Sequence, residues 1–318
     1  MQLFDLNVSI LFSGETLPLS GRVFLPESTP SSDILVYHPG TPRHALHCAT
    51  EGRYDDVGGR LAALGCIVLI PDYVGCGAGC GQTPMRYLYK PHAGLASYHL
   101  LQALIQRLDA QRRLPEAPEV GIFGYSLGAH HAVGLLQRLE RSPLRCRPRR
   151  FFAGGGIFDL EVQLATMFER GRYPAPAYIV ELLASLLGRA SALSCFSPAC
   201  RDTIRRSFDA PLRDLPELNP LLAEELELLL SETLYPSPSE QLRTLLKAHT
   251  LDPLDTTLPE ITLYHAQYDD ICYVENFHAF VEKSPAPICT VTGKAASHLE
   301  GSEEYFGLLV ALLARDRG

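Results

Sequence analysis

Ser126 is the side chain best placed for covalent chemistry. It stands in Gly124-Tyr125-Ser126-Leu127-Gly128, a G-x-S-x-G pattern. Three fixed positions of this kind arise by chance in about one chain in ten of this length, so the pattern alone carries little weight. Its setting carries more. An apolar run at 119–125 leads straight into it, and 127–140 has helical spacing, which is the strand–turn–helix context the motif requires. A serine in so sharp a turn needs small neighbours, and Gly124 and Gly128 supply them. Its hydroxyl then stands clear of the backbone beside a helix N-terminus, where the Leu127 N–H can face a developing oxyanion. The simpler alternative is a strand-to-helix turn that Ser126 merely caps.

A serine hydroxyl needs a base, and the base needs a carboxylate to orient it. With this motif the chain order is serine, then acid, then histidine. Asp269 and Asp270 follow the apolar run at 260–267, and His298 is the only histidine after the run at 286–293. Asp269 is the preferred acid and Asp270 the alternative; the one not used is expected to cap the following helix. His265 reads as a strand residue and His278 as a helix residue. His38 precedes the nucleophile and reads as a structural tie for its own loop. That loop, His38-Pro39-Gly40-Thr41-Pro42, follows a buried strand, and the Thr41 N–H is the best second oxyanion donor. An ordinary Pro/Gly turn is its alternative reading.

The elements that must position these residues alternate. Strand signals occur at 4–11 and 21–26, read as a hairpin, and at 33–40, 66–72, 119–126, 150–160, 260–267 and 286–293. Helical spacing covers 51–65, 93–108, 127–140, 274–283 and 304–315. The alternation predicts an α/β fold with a mostly parallel central sheet flanked by helices. Between 161 and 255 the strand signal stops, and Leu-rich helical spacing broken by prolines takes over. Residues 1–160 and 256–318 therefore read as the core, and 161–255 as an inserted helical segment. Residues 177–187 and 221–230 are candidates to line an apolar pocket, though packing of the insertion against itself accounts for most such leucines. The basic run at 145–150 reads as a solvated loop ahead of a strand.

The chain has 318 residues, 46% apolar and 20% charged, enough for a sizeable core. A net charge of -8 argues against a nucleic-acid partner. The nine cysteines are an odd number and none stands in CxxC spacing, so a reducing compartment and no metal are expected. The first residues carry Asp5 and no early basic side chain, unlike a secretory leader. The apolar stretch at 177–193 holds Glu181 and Arg189 and is too short to span a bilayer. A cytoplasmic location is the expectation. Oligomeric state is not readable.

Across nearly its whole length the chain resembles the α/β-hydrolase superfamily. The segments LVYHPGTP, VLIPDYVGCG, GYSLGAH and GGGIFDL look like those of bacterial and fungal secretory-lipase and esterase relatives. The resemblance implies that the insertion is a cap over the active site. It also implies hydrolysis of a small-molecule carboxylic ester with no cofactor. Ser126, Asp269 and His298 would be the triad, and Thr41 with Leu127 the oxyanion hole. A peptidase or amidase using the same groups is the alternative enzyme. An inactive binding protein that kept the fold is the alternative outside enzymes.

Overall fold

The computed structural model describes residues 1–26, 33–171, 173–194, 201–202, 204–205 and 240–315. Eight strands form one sheet: β1 (Gln2–Phe12), β2 (Glu15–Leu25), β3 (Ile34–His38), β4 (Ile67–Pro71), β5 (Glu119–Tyr125), β6 (Arg147–Gly154), β7 (Glu260–Ala266) and β8 (Cys289–Gly293). Their order is β1-β2-β4-β3-β5-β6-β7-β8. β1 pairs with β2, and β2 with β4, antiparallel; all other neighbours are parallel. The helices among the described residues are α1 (Asp55–Ala63), α2 (Leu95–Ala110), α3 (Leu127–Arg141), α4 (Leu160–Arg170), α5 (Pro176–Leu187), α6 (Arg189–Ser194), α7 (Glu240–His249), α8 (Val274–Lys283) and α9 (His298–Arg315).

Parallel strands covered on both faces bury every residue, which is why β3 and β4 read as unbroken apolar runs. Alternate side chains still serve different layers. Val36 and Ile122 pack with Leu100, Leu104, Val133 and Leu136 of α2 and α3. Leu35 and Phe123 pack on the opposite face with Leu61 of α1 and Tyr305 and Leu309 of α9. A third apolar cluster joins Leu164, Val180 and Leu183 of the inserted helices to Leu127, Tyr87 and Ile157 at the carboxyl ends of the strands. The leucines at 177–187 that the structure buries belong to this cluster. The stretch 221–230, Cys195 and Cys200 lie outside the described residues.

Among the boundaries that differ from the sequence reading, three have a clear physical cause. β6 starts at Arg147, inside the basic run, and ends at Gly154. Only 145–146 lie in the loop; Arg147 and Arg149 are exposed strand residues and Arg150 is buried, with Arg150 paired to Glu260 at 2.6 Å and Arg149 to Glu119. The strand stops where Gly155 turns to φ +55°. The last helix begins at His298 rather than near 304, so His298 is its first residue and does not precede it. The sequence carried a signal for that start. Ser297 and Glu300 stand at capping-box spacing, and the Ser297 hydroxyl accepts the Glu300 N–H at 3.3 Å.

The strand order also explains where a site can form. From β3 the chain turns toward β4; from β5 it turns the other way, toward β6. The loops after β3 and β5 therefore leave the sheet side by side and diverge, opening a crevice at the carboxyl ends of these two strands.

Candidate active site

Ser126 occupies the turn between β5 and α3 with φ 59° and ψ -126°. This is backbone that a non-glycine residue adopts only when its surroundings force it, at a cost of about 1–3 kcal/mol. The surroundings here are tight. A Cβ on Gly128 would overlap the His38 carbonyl oxygen, and one on Gly124 would overlap the Gly128 carbonyl. The serine N–H donates to the Gly154 carbonyl at 2.9 Å, which fastens the turn to β6.

His298 bridges two of the expected residues. Its Nε2 lies 2.9 Å from Ser126 Oγ, and its Nδ1 lies 2.7 Å from Asp269 Oδ2. A carboxylate at Nδ1 holds the proton there and leaves Nε2 free to accept the serine proton. Asp269 is 2% exposed, and its other oxygen accepts the N–H groups of Ile271 at 3.0 Å and Cys272 at 2.7 Å. This loop is braced from the insertion. Gln163 of α4 donates to the Ile271 carbonyl at 2.8 Å and accepts the Tyr273 N–H at 2.9 Å.

Asp270 is exposed and lies outside the Ser–His–Asp chain of contacts. It does not cap the helix that follows it. The residue before α8 is Tyr273, which makes no side-chain cap. Instead Asp270 Oδ1 accepts the His298 N–H at 2.9 Å and so caps α9. The choice follows from the sheet: β7 and β8 are neighbours, so the loops that leave their carboxyl ends meet.

The two expected oxyanion donors flank the serine. Leu127 is the first residue of α3, where N–H groups have no intrahelical acceptor. A Cβ on Gly40 would lie 3.8 Å from the Ser126 Cβ, so the residue before Thr41 borders the serine. The Thr41 side chain neighbours the buried Tyr87 hydroxyl. His38 is fully buried, with Nδ1 bonded to the Phe123 carbonyl at 2.9 Å, and burial pushes its imidazole down to about 4. It ties the β3 loop to β5. His265 lies in β7 and contacts the Cys272 carbonyl at 2.6 Å, and His278 lies in α8.

Three residues near the serine carried no sequence signal for this place. The buried Cys272 thiol reaches the Ser126 hydroxyl, and burial pushes it well above the usual thiol range. Tyr87 neighbours Thr41, and Tyr125 donates to the His298 carbonyl at 2.8 Å. Possible ligand atoms of Asp269, Cys272 and His298 all lie within 4.8 Å of one another, the one such cluster among the described residues. Two of the three are already engaged with each other, so a metal there would have to break the Asp269–His298 contact. A cavity of about 920 Å3 opens beyond Pro42, lined by Met85, Arg86, Tyr89, Ala184 and Leu187 among others, and the Ser–His–Asp group is not in its wall.

An eight-stranded, mostly parallel sheet with helices on both faces and a serine on the tight turn after the fifth strand defines the α/β-hydrolase fold. Solved structures agree. A Legionella pneumophila protein assigned as a hydrolase superposes with a TM-score of 0.78 at 17% identity, covering 99% of this chain and 88% of its own. The rice cell wall degrading esterase LipA of Xanthomonas oryzae gives 0.74 at 15%, covering 99% and 89%. Candida antarctica lipase A gives 0.66 at 16%, covering 93% and 73%. No family model matches the sequence, and no curated protein matches it.

Proposed function

We propose that this protein is a serine hydrolase that cleaves carboxylic esters through Ser126, His298 and Asp269. The observation that carries the reading is the single imidazole within 2.9 Å of a strained serine hydroxyl and 2.7 Å of a buried carboxylate. Two of the structural neighbours are named as an esterase and a lipase, which supports an ester as the substrate class.

Ser126 Oγ attacks the ester carbonyl carbon as its proton passes to His298 Nε2. Asp269 keeps the other imidazole proton on Nδ1 and stabilises the cation that forms. The carbonyl oxygen becomes an oxyanion facing the Leu127 and Thr41 N–H groups, each worth about 3 kcal/mol to the transition state. His298 then protonates the leaving alcohol, and an acyl group remains on Ser126. Water, deprotonated by His298, attacks that acyl group and restores the serine. In this reading the inserted helices are a cap, supported by their apolar cluster with Leu127 and Tyr87. Buried cysteines in apolar packing, such as Cys66, Cys76 and Cys272, go with a reducing, intracellular setting.

The test is hydrolysis of p-nitrophenyl esters of increasing acyl length, with Ser126→Ala as the blank. Activity confined to the parent protein is expected, together with fluorophosphonate labelling at Ser126. Labelling without ester turnover, but with turnover of amide substrates, would replace the reading by a peptidase or amidase. Folded protein that neither labels nor hydrolyses would be an inactive member of the fold.

A further inference from the structure

A catalytic histidine is aimed by its main chain as much as by its ring partners. His298 is held at both of its peptide groups. Asp270 Oδ1 accepts its N–H at 2.9 Å, and the Tyr125 hydroxyl donates to its carbonyl at 2.8 Å. These two residues adjoin the groups the ring itself touches: Tyr125 precedes Ser126, and Asp270 follows Asp269. Each pair of neighbours therefore divides one task. Ser126 and Asp269 contact the two ring nitrogens, while Tyr125 and Asp270 contact the two main-chain groups.

Tyr125 reaches His298 through space that two glycines leave open. A Cβ on Gly301 would stand 2.6 Å from the Tyr125 hydroxyl, and a Cβ on Gly155 would overlap its ring. Gly155 also has φ +55°, a conformation that favours glycine beside the tyrosine ring. The phenol ring lies with its centroid 5.0 Å from that of the imidazole, and it is buried to 4% exposure. The room, the ring contact and the hydroxyl bond all serve one position.

We propose that Tyr125 and Asp270 are positioning residues that lock the His298 backbone, so that its Nε2 stays on line with Ser126. The proposal rests on the triad reading above. Both act through His298, which they hold at its N–H and its carbonyl. Their effect is on how often the imidazole occupies the reactive geometry. Misplacement of such a group by about 1 Å is enough for a roughly hundredfold loss of rate.

The experiment compares the full chain with Tyr125→Phe, Asp270→Ala and Asp270→Asn. Phenylalanine keeps the ring and removes the bond to the carbonyl. Asparagine keeps an acceptor oxygen for the His298 N–H and removes the charge. The expected result is a kcat for a p-nitrophenyl ester lowered roughly 10- to 100-fold in Tyr125→Phe and in Asp270→Ala, with KM within about twofold. Asp270→Asn should recover kcat to within about threefold of the parent, with both limbs of the pH profile unmoved. Parental kcat in Tyr125→Phe and Asp270→Ala, with only a lower melting temperature, would overturn the proposal and leave ordinary helix capping. An Asp270→Asn variant as slow as Asp270→Ala, with a shifted pH limb, would overturn it in favour of a charge effect. A second readout does not need turnover. The low-field proton resonance of the His298 Nδ1–Asp269 bond should be sharp in the parent and broadened or lost in Tyr125→Phe and Asp270→Ala. If the parent protein neither labels with fluorophosphonate nor cleaves esters, the function reading fails. That resonance still decides the positioning role.

Discussion

Ser126 combines its proposed reactivity with a backbone that serine adopts at a cost. Both properties come from the same turn, and they can be separated. Ser126→Gly relieves the positive φ, whereas Ser126→Ala keeps it. Both variants should be inactive, with the glycine variant about 1 kcal/mol more stable than the alanine variant in urea unfolding. Equal stabilities would mean that the turn carries no strain. Asp269→Asn should fold normally and lower kcat about 10⁴-fold, since an amide donor at Nδ1 favours the wrong imidazole tautomer. Ester kinetics at pH 7 on the purified variant are the check. Ser126, Asp269 and His298 were legible in the sequence because each follows a strand in the required order, and the structure brings the three together. The actual task of Asp270, and the presence of Cys272, Tyr87 and Tyr125 beside them, were not. Those depend on which loops meet in space, and no local spacing records that.

The turn around the serine works only because β3 and α3 approach within backbone contact. Gly128→Ala would push against the His38 carbonyl, so it should cost about 1–3 kcal/mol and reduce activity as well. Gly134 makes a similar approach farther along α3, where a Cβ would meet Ala93. Gly134→Ala should lower stability by a comparable amount while the fluorophosphonate labelling rate of the folded protein stays near parental. A large loss of labelling there would mean that the whole of α3, not only its first turn, sets the nucleophile. The elements themselves were largely readable, because buried parallel strands and amphipathic helices have distinct periods. The misreadings arose where polar residues begin an element. β6 starts on arginines that acidic side chains of β5 and β7 neutralise, and α9 starts on a capped polar turn.

The molecule as a whole buries histidines in their neutral form. Desolvation pushes His38, His92 and His130 down to about 4, and drives His131 well below its ordinary value. The unfolded chain, with histidines near 6.5, therefore binds more protons than the native one between those values. The stabilisation is fully present above about pH 6.5 and is lost as pH falls toward 4, by up to roughly 3 kcal/mol for each of His38, His92 and His130. Urea midpoints measured at pH 7.5, 5.5 and 4.5 should fall steeply across that range. Midpoints that stay flat would mean that these imidazoles are accessible to protons in the native state.

Ser126 and His298, the nucleophile and base of the proposed reaction, are 172 residues apart in the chain, and His298 opens the last helix. A strand-by-strand assembly can complete β3, β5 and α3 and still have no competent serine. Chemical reactivity is then the last property to appear during refolding, after most secondary structure and burial are in place. An active-site probe added at intervals after dilution from urea should label Ser126 on the timescale of the slowest folding phase. The protein thus carries its own clock for the docking of its final element.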